Sequence, residues 1–242
     1  MSRLWALLVA LCAVGILLAS PFLLGAIRAA QSPMAPPVLL TLQVLQTLLL
    51  CALAAYAGVR FAPAAGLDAP WLRVLAEGRS PPPAFGSMAI EAAAVGSITA
   101  VVVTALGLML RASLPDALWR PASGGFWMRA SSAFYGGIVE EILVRWGLLT
   151  AFVVVARRAG VSAPFWPANV IAALVFGALH FPSIALAQIP LTGAVIAHVL
   201  LANGIAGVVF GWMFRRRGLE GAMVAHGSAG VWLQAALPAL LA

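Results

Sequence analysis

The sequence predicts an all-α membrane protein, a polytopic helical bundle of about seven transmembrane helices, or eight. Of its 242 residues, 63% are hydrophobic and 9% are charged, whereas soluble domains carry about 25% charged residues. The mean hydropathy is +1.05. A spanning helix needs about 20 mostly apolar residues. Seven stretches meet this requirement, roughly 4–27, 38–59, 87–110, 130–156, 165–188, 190–214 and 219–241.

The first stretch has features of a signal peptide, because one arginine precedes an apolar run that ends in small residues. Pro21 would follow the most obvious cleavage point, however, and the apolar run continues to residue 27. We therefore expect an uncleaved first span. Cys12 and Cys51 both lie in apolar runs, which favours buried small hydrophobic residues over a disulfide framework.

One long polar insert, residues 60–86, separates the second and third stretches. Its "APWLRVLAEG" is compatible with a short interfacial helix that places Trp71 and Arg73 at the lipid headgroups, or with a plain loop. The "SPPP" at 80–83 predicts a stiff, non-helical linker.

All 14 basic residues are arginines, and all but Arg145 lie outside the apolar stretches or at their ends. This arrangement is typical of a membrane protein, so the high pI of about 11.3 does not predict nucleic-acid binding. With seven spans, nine arginines lie on the N-terminal side of the membrane and four on the other. The excess predicts a cytoplasmic N-terminus and an external C-terminus. The arginine-only composition favours a bacterial protein of the inner membrane; an eighth span would change the orientation.

Charged residues inside the apolar stretches are the main functional signal. Glu140, Glu141 and Arg145 fall within six residues of the fourth stretch, although one central charge costs about 2.5–3.5 kcal/mol. Such groups must face a protein interior or a water-filled cavity. Glu141 and Arg145 are four residues apart, so they can pair on one helix face, whereas Glu140 needs a partner from another helix.

Histidines in later stretches supply candidate partners, namely His180 in "FGALH" and His226 in "AMVAHGSAG". Glu140 beside His180 is suited to deprotonate a water that attacks an amide, and His226 is suited to stabilise the oxyanion or protonate the leaving amine. The same three residues are also a possible zinc-ligand set, although HExxH spacing is absent. A structural ion pair and a proton relay are the alternatives.

Three motifs resemble a known family. "EEILVR" (140–145) matches EExxxR, "FGALH" (176–180) matches FxxxH, and His226 begins the third motif. These are signatures of the CPBP family of intramembrane proteases, which includes the Ras-converting CAAX endopeptidases, the lysostaphin-resistance-like proteins and the bacteriocin-immunity proteins. The resemblance covers about 130–235. It implies a catalytic core of four spans at 130–242, with its site in a conical intramembrane cavity, preceded by N-terminal helices and an interfacial loop at 1–129.

The resemblance also implies roles for individual residues. Glu140 would be the catalytic base, His180 would hold and polarise the water, and His226 would contribute to the oxyanion hole. Glu141 and Arg145 would organise the site, supported by Phe176 of the FxxxH motif. The family favours glutamate-dependent hydrolysis without a metal, and a divalent metal such as zinc is the alternative. The implied partners are membrane lipid and a membrane-associated or lipidated peptide substrate.

One position departs from the family pattern, because Gly230 stands where the last motif, HxxxN or HxxxD, has an amide or acid. If that group completes the oxyanion hole, about 2.7–4 kcal/mol of transition-state stabilisation is missing. Ser228, Asn203 or a water are candidate substitutes. The alternative is a non-catalytic pseudoprotease that binds a partner in an immunity or scaffold role.

Overall fold

A computed structural model describes residues 2–29, 34–80, 84–119 and 124–240. Over these residues all regular structure is helical, as the composition predicts. We number the main helices along the chain: α1 Arg3–Ala29, α2 Pro36–Ala65, α3 Pro70–Ala76, α4 Phe85–Met109, α5 126–158, α6 Phe165–Ala178, α7 Phe181–Leu186, α8 Gly193–Arg217 and α9 219–240.

Helix α5 is irregular around its charged residues. Between two α-helical ends it contains two π-helical stretches, Tyr135–Glu140 and Ile142–Leu149. A π-helix bonds each N–H to the carbonyl five residues back, and such stretches frequently occur at functional sites. The carbonyl oxygen of Arg145 also accepts a hydrogen bond from the Thr150 hydroxyl, five residues later, at 3.2 Å.

Five helices in the described residues are long and apolar enough to cross a membrane. They are Arg3–Arg28, Pro36–Ala65, Phe85–Met109, Phe165–Leu186 and Gly193–Arg217. The stretches predicted at 130–156 and 219–241 are helical where described, but π-helical segments interrupt both. Seven spans, the orientation, the conical cavity and the division at residue 130 therefore stay predictions. Arg120 and residues 81–83 of the predicted linker lie outside the described residues.

Helix α5 occupies the middle of the bundle. One hydrophobic core joins it to α1 and α2, and α9 packs on another of its sides. A second core joins α4, α8 and α9, while α6 packs against α8. Val139, Ile142, Trp146 and Leu149 of α5 are fully buried. Glu141 and Arg145, which lie between them, are therefore held inside protein, as the cost of exposing charge to lipid requires.

The polar insert contains a helix, α3, rather than a plain loop. The buried Glu220 at the start of α9 accepts a hydrogen bond from Leu72 N in the first turn of α3, at 2.6 Å. At the same end of the bundle, Glu91 of α4 forms ion pairs with both Arg216 and Arg217 of α8. These contacts fix the insert and α4 against the α8–α9 corner.

Helices α4 and α9 approach closely at Gly96. A methyl group built on Gly96 would clash with the backbone carbonyl of Ala225, the residue before His226. Small residues at such contacts let membrane helices pack through their backbones. This contact fixes the depth and rotation of α9 at the position where it presents its histidine.

We expect Gly96→Ala to lower the free energy of unfolding by about 1–3 kcal/mol, because overpacking forces the two backbones apart. The measurement is thermal unfolding of purified protein in detergent. Gly86→Ala, near the start of the same helix, is the matched control. Its added methyl group would meet no neighbouring element within 4 Å, so the change should be neutral or stabilising. Equal melting temperatures for the two variants would contradict the close approach.

Candidate active site

The predicted pair of Glu141 and Arg145 is present and buried. The two side chains are 0% and 1% exposed, with Arg145 Nε 3.4 Å from Glu141 Oε2. Arg145 Nη2 also donates to the carbonyl oxygen of Gly207 in α8 at 3.1 Å. The guanidinium lies 5.1 Å from the ring centroid of Phe176 and 5.8 Å from that of Phe210. Arg145 therefore connects α5 to α6 and α8 by hydrogen bonding and cation–π contact.

Glu141 has a second partner in His226 of α9. His226 Nδ1 donates to Glu141 Oε1 at 2.7 Å. Since a carboxylate only accepts, the bond places a proton on Nδ1 and leaves Nε2 facing the other way. The imidazole also stacks on Phe210, with 4.7 Å between centroids and an interplanar angle of 21°. His226 is thereby fixed in both tautomer and orientation.

The free edge of His226 faces Glu140. The distance from His226 Nε2 to Glu140 Oε2 is 3.6 Å, too long for a direct hydrogen bond and short enough for a bridging water or proton exchange after a small shift. The Glu140 side chain is 22% exposed, in contrast to the fully buried Glu141. A methyl group on Gly136 would lie 2.9 Å from His226 Nε2, so the glycine keeps this edge of the ring open.

His180 lies in the turn that follows α6, just before Pro182, which has no N–H with which to continue a helix. Its Nδ1 donates to the carbonyl oxygen of Phe176 at 2.9 Å, which leaves Nε2 available as an acceptor. The Phe176 ring lies edge-on to His180 at 4.8 Å and to His226 at 5.9 Å. Among the described residues no hydrogen bond or ion pair joins His180 to Glu140.

The candidate substitutes for the missing amide lie elsewhere. Ser228 Oγ donates to the carbonyl oxygen of Ala93 at 3.0 Å, on the α4 side of α9. Asn203 Nδ2 donates to the carbonyl oxygen of Val199, one turn back in its own helix, at 2.9 Å. A methyl group on Gly230 would lie 3.2 Å from the Cα atom of Ala133 in α5, so this position is a helix contact. The structure does not bring Ser228 to Glu140 or His226.

The possible zinc-ligand set is not assembled in this arrangement. Across the described part of the chain, no three His, Cys, Asp or Glu side chains are placed to hold a metal ion. His226 Nδ1 is engaged by Glu141, and His180 contacts Phe176. The Nδ1 bonds leave each Nε2 free, as in many metal-bound histidines, but the described residues do not group His180, His226 and Glu140 closely enough to share one ion.

Two site residues were missed by the sequence reasoning. Phe210 stacks on His226, but as one apolar residue in "VVFGW" it carries no local signal. Tyr135 lies near Glu140 and interacts with Thr47 and Gln43 of α2. It is one of only two tyrosines in the chain and stands five residues before Glu140, a spacing that a π-helix brings onto one face.

A family model described as type II CAAX prenyl endopeptidase Rce1-like matches residues 122–232. The matched segment contains Glu140, His180 and His226, and it confirms the resemblance recognised from the three motifs. No curated protein and no solved structure matches the chain.

We expect Arg145→Met to destabilise the protein by about 3–5 kcal/mol, because it leaves the Glu141 carboxylate buried without its cation. The measurement is the loss of thermal stability in detergent. Arg111→Met removes an arginine from the exposed pair with Asp116 and should cost no more than about 1 kcal/mol. A similar small effect for both variants would show that the Glu141–Arg145 pair does not stabilise the bundle.

Proposed function

We propose that this chain, whose residues 122–232 match the Rce1-like family of type II CAAX prenyl endopeptidases, is an intramembrane endopeptidase. Its reaction is hydrolysis of a peptide bond in a membrane-associated or lipidated peptide. The observation that supports this proposal best is the placement of His226 between two glutamates, one buried and paired, the other partly exposed. The arrangement separates a positioning carboxylate from a reactive one.

Glu140 is the general base in this proposal. Its carboxylate is partly exposed and has no hydrogen bond within the described residues, so it is able to accept a proton from a bound water. The water oxygen attacks the carbonyl carbon of the substrate while its proton passes to Glu140. When the carbon–nitrogen bond of the tetrahedral intermediate breaks, the protonated Glu140 returns that proton to the leaving amine.

His226 stabilises the oxyanion of the tetrahedral intermediate. Glu141 accepts a hydrogen bond from Nδ1 and orients the ring, as the buried aspartate does in a serine-protease triad. In the proposed reaction Nε2 also carries a proton, taken up from water before the attack, and it donates a hydrogen bond to the negative oxygen. The opening beside Gly136 provides space for that oxygen next to Nε2.

His180 has a positioning role. Its Nδ1 bond to the Phe176 carbonyl leaves Nε2 as an acceptor for a proton of the attacking water. The water would then be held between His180 and Glu140, which requires the two residues to approach in the substrate complex. Catalytic hydrogen bonds are often long before substrate binds, so the arrangement described is compatible with this role.

The substrate class follows from the location of the site. The described residues include five helices suited to a membrane, and α5 presents its carboxylates within their bundle. A peptide that reaches this site must itself be embedded in, or anchored to, the lipid. We propose an inner-membrane location in a bacterium, with a cytoplasmic N-terminus and an external C-terminus.

Gly230 supports a second candidate function, a pseudoprotease that binds a membrane partner without cleaving it. The family's amide or acid is absent at this position, and neither Ser228 nor Asn203 is directed to His226 in its place. In this case the buried Glu141–Arg145 pair would be retained for packing, and Glu140 would have no chemical role.

We expect Glu140→Gln to lower turnover of a cleaved peptide by about 10²–10⁴-fold, because an amide cannot accept the proton of water. The measurement is single-turnover cleavage of a lipidated or transmembrane peptide library in liposomes, followed by mass spectrometry. Glu77→Gln, in an exposed pair with Arg79, is the matched control and should leave turnover unchanged. If Glu140→Gln and wild type yield the same product, Glu140 is not the base.

We expect Gly136→Ala to reduce turnover by at least tenfold while the protein remains folded, because the added methyl group occupies the space beside His226 Nε2. Gly204→Ala in α8, whose added methyl group would meet no neighbouring element within 4 Å, should retain full turnover. The same liposome assay measures both variants, with melting temperature as the folding check. Full activity in Gly136→Ala would argue against substrate binding at this edge of the ring.

A cellular assay separates the two candidate functions. If deletion of the protein gives a phenotype, the protease proposal predicts that Glu140→Gln fails to restore the wild-type behaviour at equal membrane abundance. Complete restoration would instead favour the pseudoprotease, since binding does not require a base.

A further inference from the structure

A cavity of about 350 Å³ lies far along the bundle from His226, where several helices end. It lies between the C-terminal ends of α2, α5 and α8 and the N-terminal end of α6. We call it the arginine cavity, because its lining includes Arg157 of α5 and Arg215 of α8, together with Gly66, Ser162 and Trp166.

Both arginines are held by contacts that leave their charge intact. Arg157 donates a hydrogen bond to the carbonyl oxygen of Ala64 at the end of α2. The guanidinium of Arg215 lies 4.7 Å from the ring centroid of Phe165 at the start of α6. Each side chain is therefore directed to the cavity by a neutral partner, and two positive charges remain there.

The carboxylates of this end of the bundle are engaged elsewhere. Asp68 pairs with Arg73, and Glu91 pairs with Arg216 and Arg217. No Asp or Glu is among the residues that line the cavity. Within the described chain, Arg157 and Arg215 thus have no anionic partner, and the cavity is suited to an anion supplied from outside.

The surface next to the cavity is apolar and runs along α6 away from the cavity. Trp166 is 47% exposed at the cavity rim, and Val170 and Leu174 follow at four-residue spacing on the same face of α6, both largely exposed. Tryptophan is enriched at the level of lipid headgroups. We call the surface formed by Trp166, Val170 and Leu174 the Trp166–Leu174 ridge. An acyl chain attached to an anion in the cavity would lie along this ridge, whereas a free phosphate has no chain to place there.

We propose that the arginine cavity binds the phosphate head group of an anionic phospholipid, with an acyl chain along the Trp166–Leu174 ridge. Basic pockets between membrane helices are the type of site that recognises such head groups. The bound lipid would join α2, α5, α6 and α8 at their ends. It would thereby stabilise the end of the bundle opposite helix α7.

The test uses the full chain, delipidated in a neutral detergent, with phosphatidylglycerol as probe and native mass spectrometry and thermal unfolding as readouts. We expect phosphatidylglycerol to bind and to raise the melting temperature, and we expect phosphatidylcholine and inorganic phosphate to do neither. Arg157→Gln combined with Arg215→Gln should weaken phosphatidylglycerol binding by roughly 25-fold, about fivefold for each arginine. Arg79→Gln combined with Arg111→Gln, which removes the same charge from exposed pairs elsewhere, should bind as wild type.

A second variant keeps the test decisive if the double arginine variant does not fold. Ala163→Glu places a carboxylate on an exposed position of the cavity lining and leaves both arginines in place. It should weaken phosphatidylglycerol binding without loss of folding. Undiminished binding in Ala163→Glu would overturn the proposal. Equal stabilisation by inorganic phosphate would also overturn it, because it would indicate a site for a free anion. Equal stabilisation by phosphatidylcholine would do the same, because it would indicate an apolar lipid contact only.

Discussion

The buried ion pair between Glu141 and Arg145 is the interaction on which the active-site region depends. Removing two charges from water costs several kcal/mol for each ion unless the remaining donors and acceptors find partners. Here the partners come from three other helices: the Gly207 carbonyl and the Phe210 ring from α8, Phe176 from α6 and His226 from α9. The pair is tolerated only when these helices have one relative position, so it links the stability of the bundle to the geometry of the site.

This dependence explains why two adjacent glutamates differ in character. Glu141 uses its carboxylate to hold Arg145 and His226, and it is inaccessible. Glu140 projects to the partly exposed side of α5, beside the open edge of the same histidine. The π-helical turns of α5 widen the helix at this point and group Tyr135 with Glu140. In our proposal, the reaction uses the glutamate of the two that stays partly exposed.

Charged residues near the helix ends also differ in whether the protein itself pairs them. Near the ends of α2 and α8, each exposed carboxylate engages an arginine, as Glu91 does with Arg216 and Arg217. Arg157 and Arg215 are among the described arginines that form no ion pair, and both line one cavity. Positive charge that the protein does not neutralise internally is the feature that a lipid head group can recognise. The buried Glu141–Arg145 pair thus stabilises the bundle around the site, whereas the unpaired Arg157 and Arg215 form the lipid site that we propose.

The amino-acid sequence by itself determined the helical membrane class, the i,i+4 pairing of Glu141 with Arg145 and the three motifs of the matched segment. It could do so because hydropathy, helix periodicity and the spacing within a motif are local properties. Only the tertiary structure decided that His226 contacts both glutamates, that Phe210 supports it and that Ser228 faces α4. Those contacts depend on the rotation and depth of each helix, which are set by close approaches such as Gly96 against α9. No pattern within a single helix specifies them, since the partner that satisfies a buried charge lies dozens of residues away along the chain.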